Sequence, residues 1–343
     1  MMDVTVRGAG IFGLSIAWVC LKSGARVRVI DPNGIAAGSS GGIVGALAPH
    51  VPENWNSKKQ FQFESLLLAE EFWAEVARVS GDDPGYARAG RVQPVPDDSA
   101  LALARSRQVN AKELWCGEAA WTLTQSVDAS WAVGSPTGWY IHDTLSARIH
   151  PRRACHALAK AITATGGEIC LEGPDKGAVV WATGVAGLAS LGADCPRTVG
   201  NGVKGQAALL RYDAGTQPQL FADTLHFVPH SDGTVAIGST SERDYSEAAA
   251  TDGQLDALID RARHLIPALA DAPVIERWAG VRPRSRSRAP MLGPWPDRPG
   301  HFVANGGFKI GFGVAPKVAE VTADLILQGR DEIPKGFEVG ASF

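Results

Sequence analysis

Gly8-Ala9-Gly10-Ile11-Phe12-Gly13 decides the reading of this chain. The segment follows an apolar strand at residues 4–7 and opens an apolar helix carrying Leu14, Ala17, Trp18 and Leu21. After a turn at Ser23-Gly24 the chain enters a second strand, Arg26-Val27-Arg28-Val29-Ile30, which ends in Asp31-Pro32. Three spaced glycines mean little in a chain with 39 of them, but strand, glycine loop, helix, strand and acid in this order make a dinucleotide-binding unit. Gly8 makes the tight turn, Gly10 lets backbone approach a pyrophosphate, and Gly13 lets helix pack closely on strand. Ile11 and Phe12 begin the helix, whose free N–H groups and positive dipole end stabilise a phosphate anion without a basic side chain. Asp31, with Pro32 beside it, suits the ribose hydroxyls and repels the extra phosphate of an NADP-type ligand. Taken alone, the unit accommodates FAD and NAD equally.

The 343 residues can bury a large core and suggest two domains. Hydrophobic residues are 45% and charged residues 20%, and the longest apolar stretch, at 11–21, is too short to span a bilayer. No membrane insertion is expected. Met1-Met2-Asp3 runs straight into the first strand without the features of a secretion signal, so the cytoplasm is the expected compartment. Thirty-three basic residues against 36 acidic ones, a net charge of -3, give no overall field for a polyanion, and a nucleic-acid partner is not expected. Cys20, Cys116, Cys155, Cys170 and Cys195 are scattered and odd in number, which argues against a disulfide framework and against a metal site.

Residues 36–49, Ala-Ala-Gly-Ser-Ser-Gly-Gly-Ile-Val-Gly-Ala-Leu-Ala-Pro, read as a second loop of close approach, where small side chains let backbone lie against a flat ring. A flexible surface loop is the plainer alternative. Residues 61–79 form an amphipathic helix with Phe61, Leu68, Phe72 and Val76 among its apolar positions. From 82 to 139 strand-helix alternation is lost, as if a different domain were inserted. Alternation returns with a helix at 154–165 and the strand Ala178-Val179-Val180-Trp181, which runs into Ala182-Thr183-Gly184. Strands at 209–211, 225–229 and 234–238 with a helix at 252–265 suggest an antiparallel sheet with one covering helix. Near the end come Gly280-Val281-Arg282-Pro283, the loop Gly306-Gly307-Phe308-Lys309-Ile310-Gly311 and an apolar helix at 316–327, so strand, glycine loop and helix occur a second time.

The order of these motifs resembles the D-amino-acid oxidase and glycine oxidase family of FAD-dependent amine oxidoreductases over nearly the whole chain. The resemblance implies an α/β fold, α+β overall, in which a Rossmann-like FAD-binding domain (1–80, 140–205 and 275–343) carries an antiparallel-sheet substrate-binding domain (81–139 and 206–274). It assigns Gly8, Gly10, Gly13, Asp31, Ser39 and Ser40 to the ADP half of FAD, with Thr183 and Gly184 flanking it. Ile43, Val44 and the run Gly307, Phe308, Lys309, Ile310 and Gly311 would border the isoalloxazine ring. NAD is demoted, because a nicotinamide enzyme has no need of the C-terminal glycine loop. The excursion at 168–178 is shorter than the family's, so adenine contacts near Ile169 or Cys170 are not carried over.

By the same resemblance Arg282 clamps the substrate carboxylate, for which a guanidinium offers two parallel N–H donors. Arg284, Arg286 and Arg288 crowd the same segment and compete for the role. His226 falls near a position that lines the family's substrate site, where it would orient an amine or pass protons near neutral pH; a structural histidine is the plainer alternative. The activity implied is oxidation of the C–N bond of an amino acid or related amine, with hydride going to flavin N5 and the imine hydrolysed afterwards. Two other readings stay open: a flavoenzyme acting on a carboxymethylaminomethyl group of tRNA, and a subunit that keeps FAD without catalysis. The oligomeric state is not legible.

Overall fold

In the computed structural model, which describes residues 2–193 and 197–343, the opening unit forms as its residues dictate; Cys195 lies outside the described residues. The strands Asp3–Arg7 and Arg26–Ile30 pair in parallel, from Asp3 opposite Arg26 to Arg7 opposite Ile30, with the helix Ile11–Lys22 between them in sequence. That helix buries nearly every side chain from Ile11 to Cys20. Such all-round burial needs neighbours on all sides. The sheet gives one, and the helices Pro151–Ala164 and Gly311–Gln328 give the others.

Six strands make the first sheet, in the order Met291–Pro294, His301–Asn305, Ala178–Trp181, Asp3–Arg7, Arg26–Ile30, Glu168–Cys170. All neighbours are parallel except the antiparallel edge strand Met291–Pro294. Chain order reverses direction at Asp3–Arg7, and ligands of such sheets gather outside the carboxyl ends of the strands at that reversal. The Gly8, Thr183 and Gly306 loops leave the sheet at that end. The short excursion after Cys170 lies across the first strand: the Thr5 hydroxyl donates to the Lys176 carbonyl (2.9 Å) and accepts from its N–H (2.8 Å), and Arg7 pairs with Asp175 at 2.8 Å.

The second sheet has eight strands, ordered Val274–Ser285, Gly200–Arg211, Thr234–Gly238, Leu225–Pro229, Gln219–Ala222, Arg91–Pro94, Tyr140–Asp143, Trp121–Thr124. Neighbours are antiparallel save for Gln219–Ala222 beside Arg91–Pro94. Successive side chains of a strand point to opposite faces. Accordingly Ala208, Leu210, Phe227 and Ile237 meet Leu255, Leu258, Ile259 and Ala262 of the helix Gly253–Leu265, whereas Ala207, Leu209, Val228 and Ala236 pack on Ile43 from the other side. Gly200–Arg211 and Val274–Ser285 both belong to this sheet and run across the expected division near 205 and 275. The two-domain division stands as our proposal, with these strands as the shared wall.

Elsewhere the elements depart from the expected ones. The helix expected at 61–79 covers Ser57–Ser80, from an Asn56 side chain that accepts from the Lys59 N–H to a left-handed Gly81 with φ 71°. The helix expected to begin at Pro316 begins at Gly311 and takes Pro316 inside. The stretch 82–139 holds a full helix, Asp98–Leu114, capped by Asp97. It buries only Leu101, Ala104 and Ala111, so its apolar period is too sparse to register in the sequence. No helix among the described residues is long and apolar enough to cross a membrane, and no cluster of metal-ligating side chains occurs among them.

Candidate active site

Gly8 sits at φ +111°, where a Cβ would overlap the Ala182 carbonyl, and a Cβ on Gly13 would overlap the carbonyl of Gly8. The loop is thus pressed against the Ala178–Trp181 strand end on one side and its own helix on the other. Gly10 precedes that helix without a side-chain cap, no acid lies in its first turn, and the Ile11 N–H donates to the Ser40 hydroxyl at 3.0 Å. The N-terminal field is therefore free for an anion. Asp31 accepts from the N–H groups of Ala9 (2.8 Å) and Asn33 (3.0 Å). It pins the glycine loop to the end of the second strand, a task absent from the sequence reading, and retains lone pairs for hydroxyl donors.

The other loops close on the same point. Ser39–Gly41 is a single 3-10 turn held by Arg152, whose Nε donates to the Gly41 carbonyl (2.7 Å) and whose Nη atoms grip Glu276 at 3.0 and 2.6 Å. Ile43 is 1% exposed, and its carbonyl accepts from His230 Nε2 at 2.8 Å. Val44 fills the place beside Gly238 that a Cβ would crowd at 2.8 Å. Thr183 leads into the helix Gly184–Gly192, and the Gly184 carbonyl accepts from Asn305 Nδ2 at 2.8 Å. Asn305 Oδ1 accepts from the Gly306 N–H at 2.8 Å, so this buried amide joins two strand ends. The sequence reading missed it; its only signal was a polar residue closing an apolar strand. A Cβ on Gly307 would press on the Phe12 ring at 2.8 Å. Phe308, at φ 44°, donates its N–H to the Pro283 carbonyl at 3.0 Å, and the following helix starts at Gly311 with no acid in its first turn. Three glycines whose Cβ atoms would collide and two helix starts free of acids fit a dinucleotide carrying a flat ring.

The eight-stranded sheet supplies the opposing wall. Register places Trp278 beside Ala207, Ala207 beside Gly238, Gly238 beside His226, and His226 beside Phe221. The two smallest residues of this row lie at its middle, under Val44. Arg282, four residues after Trp278, points to the same face. Its Nη2 donates to the Ser239 hydroxyl at 2.8 Å and its Nη1 lies 3.5 Å from the Thr240 carbonyl. A guanidinium has five N–H donors, so most remain available. Burial pushes its pKa down to about 10, partly offset by the charge of Glu242, and it stays cationic at neutral pH.

The competing arginines make other contacts. Arg284 lies over the Phe308 ring at 5.2 Å, Arg286 reaches the Phe343 carbonyl at 3.2 Å, and Arg288 is exposed, its carbonyl accepting from Lys58. His226 faces the site with its ring 4.6 Å from Phe221 and a buried, unpartnered Nδ1. Burial, with the charges of Arg91 and Lys309, pushes its pKa down to about 3. The ring is therefore held neutral near pH 7, with one donor and one acceptor nitrogen for hydrogen bonding.

A parallel-centred sheet with glycine loops at its carboxyl ends, beside a largely antiparallel sheet that carries Arg282, is the arrangement of a flavin-type oxidoreductase. The chain belongs to the FAD dependent oxidoreductase (DAO) family, whose model matches residues 3–325. It is 24% identical to the glycine oxidase of Geobacillus kaustophilus over 94% of this chain and 92% of that protein, and 28% identical to the glycine oxidase of Pseudomonas putida over 94% of each. The crystal structure of the Geobacillus kaustophilus glycine oxidase shares the fold, with a TM-score of 0.84 at 21% identity over 99% of both chains. The cofactor of this family is FAD.

Proposed function

We propose that the protein oxidises the C–N bond of an amino acid or closely related amine, held by its carboxylate on Arg282. The observation that carries this reading is a half-buried guanidinium with free donors and, among the described residues, no carboxylate partner within 4 Å, on the sheet face that meets the Ile43–Val44 loop. Gly8, Gly10, Ile11, Phe12, Gly13, Asp31, Pro32, Ser39 and Ser40 would hold the ADP half of FAD with Thr183 and Gly184, while Ile43, Val44 and residues 307–311 would border the ring. FAD, when bound, supplies the two-electron acceptor. The chain's own work is placement. Arg282 fixes the carboxylate and with it the α-carbon, Ser239 and Thr240 hold Arg282, Trp278 walls the recess, and Ile43 and Val44 exclude water. Neutral His226 offers one hydrogen bond to the amine. Loss of a hydride from the α-carbon and a proton from the nitrogen gives an imine, which water hydrolyses to the carbonyl compound with release of ammonia or an amine. Free thiols at Cys20, Cys116, Cys155 and Cys170 suit a reducing, cytoplasmic setting.

Anaerobic titration of the FAD-loaded protein with a panel of amino acids tests the reading. At least one amine is expected to bleach the flavin, and Arg282→Ala should retain FAD while raising the half-saturating concentration by about 100-fold or more. A flavin that no amine reduces refutes it.

A further inference from the structure

Arg282 has two cationic neighbours that an α-carboxylate does not require. Arg284 follows it by two residues on the same strand, and the Phe308 N–H bonded to the intervening Pro283 carbonyl (3.0 Å) fixes Lys309 beside them. The Arg284 guanidinium and the Lys309 ammonium lie 5.2 and 5.8 Å from the centroid of the one Phe308 ring. Among the described residues neither has a carboxylate within 4 Å, and the carboxylate that acts on Arg282, Glu242, is 3.5 Å from Lys204 and occupied by it. Lys309, whose residue reaches solvent, is held below the usual ammonium range by partial burial and by the charges of Arg282 and Arg284, and Lys58 by burial and by Arg288 and Arg284. No acid enters either account. Cations gathered against their mutual repulsion around an aromatic ring are a feature of sites completed by an anionic ligand.

We propose that the site takes amines bearing a second acidic group, with the α-carboxylate on Arg282 and the second acid between Arg284 and Lys309. This rests on the amine-oxidase reading above. The cofactor's phosphates do not need these side chains, since the Gly8–Gly13 loop and its helix start already meet them. A guanidinium and an ammonium together suit a carboxylate better than a neutral or cationic side chain, so lysine-like amines are excluded along with apolar ones.

Sarcosine and iminodiacetate differ by one carboxylate on the same nitrogen substituent and make the decisive pair. In anaerobic reduction of the FAD-loaded protein, iminodiacetate should half-saturate at a concentration about tenfold or more below that of sarcosine. Arg284→Gln should bring the ratio of the two constants towards one with FAD content unchanged. Equal constants in the wild type, or loss of FAD from Arg284→Gln, overturn the second-acid site while leaving amine oxidation standing. If no amine reduces the flavin, the parent reading fails, and a second measurement still decides this one. Malonate should perturb the flavin absorption spectrum at about a tenth of the acetate concentration or less, a preference lost in Arg284→Gln; equal binding of the two acids overturns the site.

Discussion

The Arg282 guanidinium occupies the space in which a Cβ at Gly205 would stand. Gly205 pairs with Gly280 and Arg282 with Val203, so the arginine leans diagonally across a notch made by two facing glycines. In Gly205→Ala the colliding atoms are the far end of a flexible side chain, so the strand should hold and the guanidinium should move. We expect near-wild-type thermal stability and FAD content, with kcat/KM for any substrate amine lowered by about 10- to 100-fold, since a shift of about 1 Å in a positioning group has effects of that size. Unchanged kinetics in a folded variant would mean that Arg282 does not set the substrate's place.

The cofactor loop behaves differently, because there the colliding atoms are backbone. Gly8→Ala meets the Ala182 carbonyl and Gly13→Ala meets that of Gly8, and neither partner can swing aside. Gly24 is the control: it too has positive φ, +87°, but nothing lies within 4 Å of its Cβ position. Gly24→Ala should cost about 1 kcal/mol for its backbone conformation and keep FAD. Gly8→Ala and Gly13→Ala should lose about 1–3 kcal/mol through overpacking and purify largely without flavin. Flavin absorbance per protein and thermal melts decide it, and a fully yellow Gly13→Ala protein would contradict the close-approach role.

What could be read in advance divides along sequence distance. Gly8 to Asp31 was legible because strand, glycine turn, helix, strand and acid follow one another in one unit whose period and punctuation are local, although Ala182 and Ser40 meet Gly8 and Ile11 from outside it. Arg282 was offered only through resemblance, and preferring it to Arg284, Arg286 and Arg288 as the proposed clamp rests on the sheet register that brings Ser239 and Thr240 beside it. Gly205 gave no signal, since its need to be glycine comes from a side chain 77 positions later, and Asn305, which ties the Gly184 turn to Gly306, showed only as a polar residue closing an apolar strand. Asp98–Leu114 escaped for the opposite reason: it is largely solvated, with too few buried positions to show a stripe.

Buried histidines set the response to acid. Burial pushes His226 down to about 3 and His230 to about 4, and lowers His50 and His150 as well. Each folded-state value lies below that of the unfolded chain, near 6.5, so the unfolded state binds protons first as pH falls. The histidine contribution is complete above about pH 6.5 and erodes below it, by up to about 1.4 kcal/mol per pH unit for each fully depressed ring. Urea midpoints should fall between pH 7 and pH 5, before the carboxylates titrate, and His230→Gln should flatten the slope. A midpoint independent of pH across that window would show that these rings are not held neutral.

Behind Arg282 lies a charged network in the sheet itself. Lys204 Nζ is 3.5 Å from Glu242 Oε2, with the residues 3% and 8% exposed, and Gln206 Nε2 donates to Glu242 (3.0 Å) and Asp252 (2.9 Å). The Thr240 hydroxyl also donates to Glu242, while the Thr240 carbonyl is the one facing Arg282. Removing one partner of such a pair leaves an uncompensated buried charge and costs about 3–5 kcal/mol, whereas removing both leaves none. Lys204→Met should therefore be strongly destabilised, with the double variant Lys204→Met/Glu242→Met recovering part of the loss. Glu242→Gln, which keeps an acceptor for the Thr240 hydroxyl, should disturb Arg282 least. Urea unfolding of wild type, Lys204→Met, Glu242→Met and the double variant gives the coupling energy, and KM for the substrate amine in Glu242→Gln reports the position of Arg282. A Lys204→Met protein within about 1 kcal/mol of wild type would show that the pair is no more than a solvated contact.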